Sequence, residues 1–183
     1  MVKVGINGFG RIGRLAFRIG LVKHSGNVEF VAINTSGSME VGGWAHLVNY
    51  DTMYRKFEKE IKEEEVKQAD KATDEDPLIG YLKWDGKKTA ILAQRDPEKI
   101  PWGHYGVDVV IESTGRFTSE MDALKHAKGG AQKVVISAPS KGGNVGTYVL
   151  GVNEADGSSK VISNASCTTN CVAPVAAVMQ ASF

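Results

Sequence analysis

The chain has 183 residues, long enough for one well-buried domain and little more. A net charge of +1 without a basic cluster argues against a general nucleic-acid or membrane-surface binder, so neither partner is expected. No apolar run is long enough to span a bilayer, the amino end lacks a signal peptide's apolar stretch, and two cysteines four positions apart suit a reduced compartment, so a cytoplasmic location is expected.

The start of the chain alternates between strand and helix patterns. The apolar run Val2–Ile6 predicts a strand, and the segment RIGRLAFRIGLVK that follows has apolar residues at helical spacing. The run VEFVAIN is almost wholly apolar, which is typical of a strand buried on both faces. Apolar residues then recur at the spacing of an amphipathic helix, at Val41, Trp44, Ala45 and Val48.

The middle of the chain contains a charged segment and a hairpin pattern. Residues 57–77, FEKEIKEEEVKQADKATDEDP, mix charges of both signs densely, which predicts a solvated excursion, partly helical or mobile. The segment LIGYLKWDGKKTAILAQ alternates between apolar and polar residues on both sides of Asp85-Gly86, which predicts a β-hairpin.

The remainder of the chain adds strands and two helices. The segment SEMDALKHAKGG predicts one helix, with Ser119 at its N-cap, Asp122 in a capping-box-like place and glycine after its end. A second helix is predicted over CVAPVAAVMQ. Strand patterns occupy four further runs, VDVVIES, KVVISAP, TYVLGVN and KVISNAS.

Strands that alternate with helices predict an α/β fold, a doubly wound, mostly parallel Rossmann sheet. A ligand then belongs at the carboxyl ends of the strands. Each loop rich in glycine or hydroxyl residues follows a predicted strand: Gly8–Gly13, Asn34–Gly37, Ser113–Gly115, Ser137–Ser140 and Ser163–Asn170. Their shared position predicts one site at this edge of the sheet.

The motif GFGRIG is a G-x-G-x-x-G pattern formed by Gly8, Gly10 and Gly13. Between a strand and a helix this pattern is typical of a dinucleotide-binding loop. Gly8 would permit the tight turn, Gly10 would let the backbone approach a pyrophosphate, and Gly13 would let the helix pack on the strand. The free N–H groups of the helix N-terminus would face the anion. A tight turn without a ligand is the alternative.

The end of the second strand bears on the choice of nucleotide. A NAD-binding unit usually carries an acid there, which accepts hydrogen bonds from the adenosine ribose. Here Asn34, Thr35 and Ser36 occupy that place, and Glu29 lies at the opposite end of the strand. Short hydroxyl side chains would tolerate the 2′-phosphate of NADP and could donate hydrogen bonds to it. The alternative is that Thr35 and Ser36 only cap a turn.

Cys167 follows a predicted strand and begins a predicted helix. The thiolate is the nucleophilic form of cysteine, and the free N–H groups at a helix start favour that form. Cys171, one turn further on, is expected to lie buried against the sheet as a small apolar residue. A buried structural thiol is the alternative for Cys167. A zinc site is not expected, because the two cysteines lack a second pair of ligands and a histidine nearby in sequence.

A cysteine beside a dinucleotide indicates the oxidation of an aldehyde. The thiolate adds to the carbonyl carbon, and the resulting thiohemiacetal gives a hydride to nicotinamide and becomes a thioester. Such a reaction needs a general base, which is usually histidine. No histidine of this sequence has a catalytic context, so surface or packing roles are predicted for all of them: His24, His46, His104 and His126.

Several segments together resemble the glyceraldehyde-3-phosphate dehydrogenase family: KVGINGFGRIGRLAFR, RDPEKIPWGHYGVDVVIESTGRFTS, GGAQKVVISAPSKGG, YVLGVN and ISNASCTTNCVAP. The resemblance covers nearly the whole chain except the charged segment, and SNASCTTNC is among the most specific signatures of the family. It implies phosphorylating oxidation of glyceraldehyde 3-phosphate to 1,3-bisphosphoglycerate, or the reverse reaction. It also implies inorganic phosphate as a co-substrate, a place in glycolysis and a homotetramer.

The resemblance further implies the roles of individual residues. Cys167 would be the nucleophile, and Ser166 and Thr168 would bind the substrate near the attacking phosphate. No metal is implied. The residues implied in binding the cofactor, NAD or NADP, are Asn7, Gly8, Gly10, Arg11, Ile12, Gly13, Thr35, Ser36, Arg95, Thr114 and Ser137.

The sequence departs from the family at two points. NAD-specific members have aspartate where Thr35 stands, and the segments NTSGS and SKGGNVGTYVLGVN are closer to the photosynthetic, NADP-using branch, so NADP or dual use is favoured. In the family the histidine base and the substrate-phosphate pocket follow the cysteine helix. The expected organisation is therefore a dinucleotide-binding domain over residues 1–165 and, at 166–183, the first helix of a catalytic domain otherwise absent from an incomplete enzyme. A semialdehyde dehydrogenase and a non-catalytic nucleotide-binding module are the alternatives.

Overall fold

The computed structural model describes residues 1–183 and contains eleven strands and five α-helices. The helices are α1 (Arg11–Lys23), α2 (Val41–Asn49), α3 (Glu120–Ala123), α4 (Lys125–Lys128) and α5 (Cys167–Ser182). The strands are β1 (Val2–Asn7), β2 (Val28–Thr35), β3 (Tyr50–Asp51), β4 (Arg55–Lys56), β5 (Lys62–Glu65), β6 (Leu78–Trp84), β7 (Lys87–Ala93), β8 (Val109–Glu112), β9 (Lys133–Ile136), β10 (Gly146–Thr147) and β11 (Val161–Ser163). Single 3₁₀ turns lie at Ala69–Lys71 and Pro97–Lys99.

Nine of the strands form one sheet in the order β10-β11-β9-β8-β1-β2-β7-β6-β5. All neighbours from β10 to β7 are parallel, whereas β6 and β5 are added antiparallel at one edge. The chain builds outward from β1 in one direction through β2 and in the other through β8 and β9. The predicted doubly wound, mostly parallel α/β sheet is therefore confirmed.

The hydrophobic core forms two clusters, one on each face of this sheet. Along β7, Ala90 and Leu92 belong to one cluster and Ile91 belongs to the other, as the alternation of side chains along a strand requires. Helix α1 packs closely on β2, because Gly20 leaves room for the ring of Phe30: a Cβ at Gly20 would lie 2.3 Å from that ring. No helix combines the length and the apolar composition needed to cross a membrane.

Most of the predicted elements are present. The four apolar residues predicted to form one face of α2 are all buried. Strands β6 and β7 pair antiparallel around Asp85-Gly86, and both turn residues have positive φ (46° and 75°), as in a type I′ turn. Ser119 caps α3 as predicted, since its Oγ accepts a hydrogen bond from the amide of Asp122 and donates to Oδ2 of that residue.

The prediction of a solvated excursion over residues 57–77 is wrong in part. Lys62–Glu65 form β5, which pairs antiparallel with β6 at the edge of the sheet. Phe57 and Ile61 are buried in the core cluster that contains Phe17, and they anchor the charged segment to the domain. The surrounding charged residues obscured the apolar pattern of Phe57 and Ile61 in the sequence, so their burial was not predicted.

Two further predictions need correction. The run TYVLGVN is a strand only at its beginning, in β10, because the amides of Val152 and Asn153 turn back to the carbonyl of Val149. The single helix predicted over SEMDALKHAKGG is divided at Leu124 into α3 and α4. At that point the amide of Ala127 bonds the carbonyl of Leu124, three residues back, which tightens the turn into 3₁₀ geometry.

The hairpin turn allows a matched test of backbone strain. A Cβ at Gly86 and a Cβ at Gly26 would both meet open space, but only Gly86 has a positive φ. Gly86→Ala is therefore expected to lower the free energy of unfolding by about 1 kcal/mol, whereas Gly26→Ala leaves it unchanged or slightly raised. Urea denaturation of both variants measures the difference. Equal losses in the two variants would contradict this assignment of the turn.

Candidate functional site

The loops singled out in the sequence lie at the carboxyl ends of the parallel strands, which we call the carboxyl edge of the sheet. They follow β1, β2, β8, β9 and β11, which run parallel, so their carboxyl ends share that edge. The order of the strands reverses between β1 and β8, and ligands of doubly wound sheets bind in the crevice at such a point. Strands β8 and β9 separate β1 from β11. A ligand that contacts both the first loop and the last must extend over about 14 Å.

The glycine loop after β1 has the geometry that its sequence predicts. Gly8 has a φ of +93°, and its amide donates to the carbonyl of Asn34 at 3.0 Å. A Cβ at Gly13 would lie 2.2 Å from the carbonyl oxygen of Gly8, so only glycine permits this contact between helix and loop. A Cβ at Gly10 would meet no atom within 4 Å. The backbone at Gly10 is therefore open to a ligand.

Helix α1 presents its N-terminus at this loop. Gly10 is the N-cap residue, and no side chain accepts a hydrogen bond from the first turn. Arg11 and Ile12 of this turn are exposed. The first amides of a helix have no partner within the helix and carry the positive end of its dipole. The residues present therefore fit a pyrophosphate at this position.

The loop after β2 is built around Thr35, which is 3% exposed. Its hydroxyl donates to the carbonyl of Leu92 at 2.9 Å and accepts from the amide of Gly37 at 3.2 Å. The side chain caps the turn, as in the alternative interpretation of the sequence, and its proton is not free to reach a phosphate. Ser36 is exposed, and its hydroxyl donates to Oγ of Ser38 at 3.0 Å, a surface bond that it would exchange in order to donate to a phosphate.

The other residues predicted to bind the cofactor come from the neighbouring loops, which together with the glycine loop line the candidate nucleotide groove. Arg95 is exposed and follows Gln94, whose amide donates to Oδ1 of Asn34 at 2.9 Å, so the loop after β7 adjoins the loop after β2. Thr114 and Ser137 are half-buried in the loops after β8 and β9. The structure thus brings all of the predicted cofactor-binding positions to the same edge of the sheet.

A buried polar cluster behind the groove was missed in the sequence. Glu112 and His126 have fully buried side chains 3.0 Å apart, and Trp102 Nε1 lies 3.1 Å from His126 Nδ1. The sequence patterns placed Glu112 only in a strand, and a surface or packing role was predicted for His126. One signal was available, because an acid at the carboxyl end of an apolar strand, directly before the Ser113–Gly115 loop, is unusual in the middle of a sheet.

Cys167 lies at the start of α5, as predicted. Ser166 is the N-cap residue, and its Oγ accepts from the amide of Thr169 at 2.9 Å and lies 2.8 Å from the hydroxyl of Thr168. Ala165 before it is buried with a φ of +62°, a left-handed conformation that residues other than glycine adopt infrequently. The Cys167 thiol is exposed, so the alternative of a buried structural thiol is wrong.

The prediction that Cys171 lies buried against the sheet is also wrong, since its side chain is exposed. The physical reason is that α5 has no buried residue, because no other element of the chain covers it. Val172 and Val175 are 63% and 59% exposed on the same helix. Exposure alone therefore does not separate the two thiols, and their positions along the helix do.

Comparison with known proteins adds evidence that is independent of this geometry. Residues 2–120 match the model of the family described as glyceraldehyde 3-phosphate dehydrogenase, NAD binding domain. The whole chain is 46% identical to glyceraldehyde-3-phosphate dehydrogenase of Streptomyces coelicolor and 43% identical to glyceraldehyde-3-phosphate dehydrogenase 2 of Bacillus subtilis. It is also 43% identical to the chloroplastic glyceraldehyde-3-phosphate dehydrogenase GAPB of Arabidopsis thaliana. The chain spans 50%, 49% and 38% of these relatives, respectively.

The two exposed thiols are expected to differ in reactivity. Limiting iodoacetamide at neutral pH should label Cys167 first, because the unpaired amides at the helix N-terminus stabilise the negative charge on an attacking sulfur, whereas Cys171 lies one turn further along. Peptide mapping by mass spectrometry identifies the labelled residue. In the matched variants, Cys167→Ser should abolish the fast labelling and Cys171→Ser should leave it unchanged. Faster labelling of Cys171 would contradict the assignment of the nucleophile.

Proposed function

Because this chain belongs to the glyceraldehyde 3-phosphate dehydrogenase family, we propose that it binds NAD or NADP and supplies the cysteine nucleophile for phosphorylating oxidation of glyceraldehyde 3-phosphate. Residues 1–165 would form the dinucleotide-binding domain, and 166–183 would begin the catalytic domain. The chain spans about half the length of the bacterial relatives that it matches, so the activity is proposed for a protein that includes the other half.

The observation that carries the proposal is the open backbone at Gly10. The first-turn amides of α1 and the absence of any atom within 4 Å of a Cβ at Gly10 provide a cradle for an anion at the switch point of the sheet. The other loops extend this cradle along the carboxyl edge towards Cys167. A ligand with a central pyrophosphate and a ring system at each end fits such an elongated site.

The exposed Cys167 would act on the aldehyde. Its thiolate adds to the carbonyl carbon and forms a thiohemiacetal, which loses a proton and a hydride to become a thioester. NAD or NADP, when bound, accepts that hydride. Attack of inorganic phosphate on the thioester releases the thiolate and gives the acyl phosphate. The hydroxyl groups of Ser166 and Thr168 lie beside Cys167 and would contact the phosphate.

The base, the oligomer and the location are part of the same proposal. The family resemblance places a histidine base after the cysteine helix, and His126 is committed to Trp102 and Glu112. A partner segment would cover the apolar face of α5, where Val172, Val175 and Met179 are exposed. The resemblance supports a homotetramer, and the two cysteines four positions apart, which suit a reduced compartment, support a cytoplasmic location.

A matched pair of glycine variants tests the nucleotide site. Gly10 has a φ of −71° and a ψ of −164°, which alanine also adopts, so Gly10→Ala should leave the thermal midpoint unchanged. Its methyl group would fill the cradle and should weaken NAD binding by about tenfold or more, as measured by isothermal titration calorimetry. Gly26→Ala, away from the edge, should change neither quantity. Unchanged affinity in Gly10→Ala would overturn the proposed cradle.

We also propose that the site accepts NADP at least as well as NAD. The support is the absence of a carboxylate at the end of β2, since an aspartate at position 35 would repel a 2′-phosphate. Exposed Arg95 remains as a donor to that phosphate, and exposed Ser36 would become one by exchanging its surface bond to Ser38, whereas the hydroxyl of buried Thr35 stays bonded to Leu92. The chain is equally similar to a bacterial and to a chloroplastic relative, so overall identity does not favour either nucleotide. The proposal therefore depends on the residues of this loop.

Titration of both nucleotides into two variants of Thr35 tests this choice. Thr35→Asp should weaken NADP binding by about a hundredfold and NAD binding much less, because charge repulsion acts on the 2′-phosphate alone. Thr35→Asn is the control of equal size without the charge, and it should affect the two nucleotides equally. NAD binding tenfold tighter than NADP in the unmodified chain, unaltered in Thr35→Asp, would show that this loop does not select the nucleotide.

A further inference from the structure

A continuous chain of buried side chains crosses the carboxyl ends of the central strands. Trp102, His126 and Glu112 form one part of it, and Asn7 and Asn34 form the other, which ends on the backbone carbonyl and amide of Gln94. All of these residues are less than 5% exposed, and the side-chain amide of Asn7, the one member implied in cofactor binding, is already bonded to Glu112 and Asn34, so these side chains act on a ligand through the loops above them. This series of hydrogen bonds links β8, β1 and β2 to the segment that follows β7, directly beneath the loops of the candidate nucleotide groove.

The hydrogen bonds determine the tautomer of His126. The indole nitrogen of Trp102 can only donate, so His126 Nδ1, at 3.1 Å, accepts and carries no proton. The proton of the neutral ring is therefore on Nε2, which lies 3.0 Å from Glu112 Oε2 and donates to it. Trp102 thus fixes His126 as a donor towards the carboxylate.

Glu112 is saturated with donors. Its Oε1 accepts from the amide of Thr114 at 2.8 Å and from the hydroxyl of Thr114. Its Oε2 accepts from Asn7 Nδ2 at 2.6 Å and from His126 Nε2 at 3.0 Å. A carboxylate has about four lone-pair positions, so these four bonds use every position and leave neither buried oxygen without a partner.

These bonds hold two loops of the groove at a defined separation. Asn7 directly precedes the glycine loop, and Thr114 lies in the loop after β8, so Glu112 bridges the two strands between which the sheet order reverses. A Cβ at Gly8 would lie 2.7 Å from the amide nitrogen of Thr114, which shows how closely the two loops approach. On the other side, Asn7 Oδ1 accepts from Asn34, which sets the start of the Thr35–Gly37 turn.

We propose that Glu112, held by His126, is a positioning residue for the nucleotide: it sets the spacing between the glycine loop and Thr114, and thereby the affinity for the dinucleotide. This inference rests on the proposed function of the groove. It adds to that function a residue pair that lies behind the groove and contacts no ligand. The carboxylate is required because a neutral amide cannot accept four hydrogen bonds.

The test compares Glu112→Gln with Glu64→Gln in the full chain. Glutamine keeps the shape of the side chain but turns an NH₂ group towards one pair of donors, so the Asn7 side or the Thr114 side must separate. Calorimetric titration with NAD, well below the thermal midpoint of each variant, should show binding weakened by about tenfold in Glu112→Gln. Glu64 pairs with Lys83 on the exposed edge of the sheet, so Glu64→Gln should bind as the unmodified chain does.

A second pair of variants keeps the proposal testable if Glu112→Gln does not fold. His126→Leu removes the donor to Glu112 and should weaken NAD binding, whereas His126→Gln supplies both an acceptor and a donor and should restore most of the affinity. Nitrogen-15 NMR should show the Nε2–H tautomer of His126 and a shifted Thr114 amide signal in Glu112→Gln, which a loss of stability alone would not produce.

The possible outcomes separate the two proposals. If the unmodified chain binds neither NAD nor NADP, the proposed function is overturned, and this inference is overturned with it. If the unmodified chain binds NAD, and Glu112→Gln and His126→Leu bind it with the affinity of Glu64→Gln, only the positioning role is overturned. An Nδ1–H tautomer at His126 would also overturn it. Weakened binding with the shifted Thr114 signal supports it.

Discussion

The hydrogen bond between Asn7 and Glu112 joins the carboxyl ends of β1 and β8, the two strands between which the strand order of the sheet reverses. Two loops of the candidate site depend on this junction, because the glycine loop follows Asn7 directly and the Thr114 loop follows Glu112. A doubly wound sheet opens a crevice at this point. The polar side chains that end the strands below the crevice are buried, so each of their polar atoms needs a hydrogen-bond partner. The buried side chains of Asn7, Glu112 and His126 meet this requirement by satisfying one another.

The framework of the fold could be predicted from local patterns in the sequence. Apolar periodicity located α1, α2 and the main strands, and the Asp85-Gly86 pair located the hairpin because few residues adopt two successive positive φ angles. The positions of the three loop glycines were predictable because G-x-G-x-x-G between a strand and a helix is a specific pattern. Gly8 has a positive φ and Gly13 contacts a carbonyl oxygen, and both requirements exclude most other residues, whereas at Gly10 the fold itself tolerates a side chain and only a bound ligand would require glycine.

The remainder depended on contacts between distant parts of the chain, which local patterns do not contain. Thr35 has a hydroxyl that could donate a hydrogen bond to phosphate. In the structure that hydroxyl donates to the carbonyl of Leu92, which is distant in sequence. Cys171 has the pattern of a buried thiol, but burial needs a covering element, and α5 has none. Glu112 and His126 are joined only after β8 and α4 pack together. The sequence therefore located the edge that holds the site but did not show which hydroxyl groups and carboxylates are already engaged within the fold.

The charged strand β5 has a consequence for how copies of this domain meet one another. An unpaired sheet edge is a template for the strands of other molecules, and natural proteins blunt it with charge or with short strands. Here Lys62–Glu65 line one edge with mostly negative charge, so an identical edge that approaches it meets repulsion. The opposite edge, β10, is two residues long and offers little backbone to pair with. Both ends of the nine-stranded sheet thus resist edge-to-edge aggregation, and this protection is built into the segment whose composition gave the least indication of a strand.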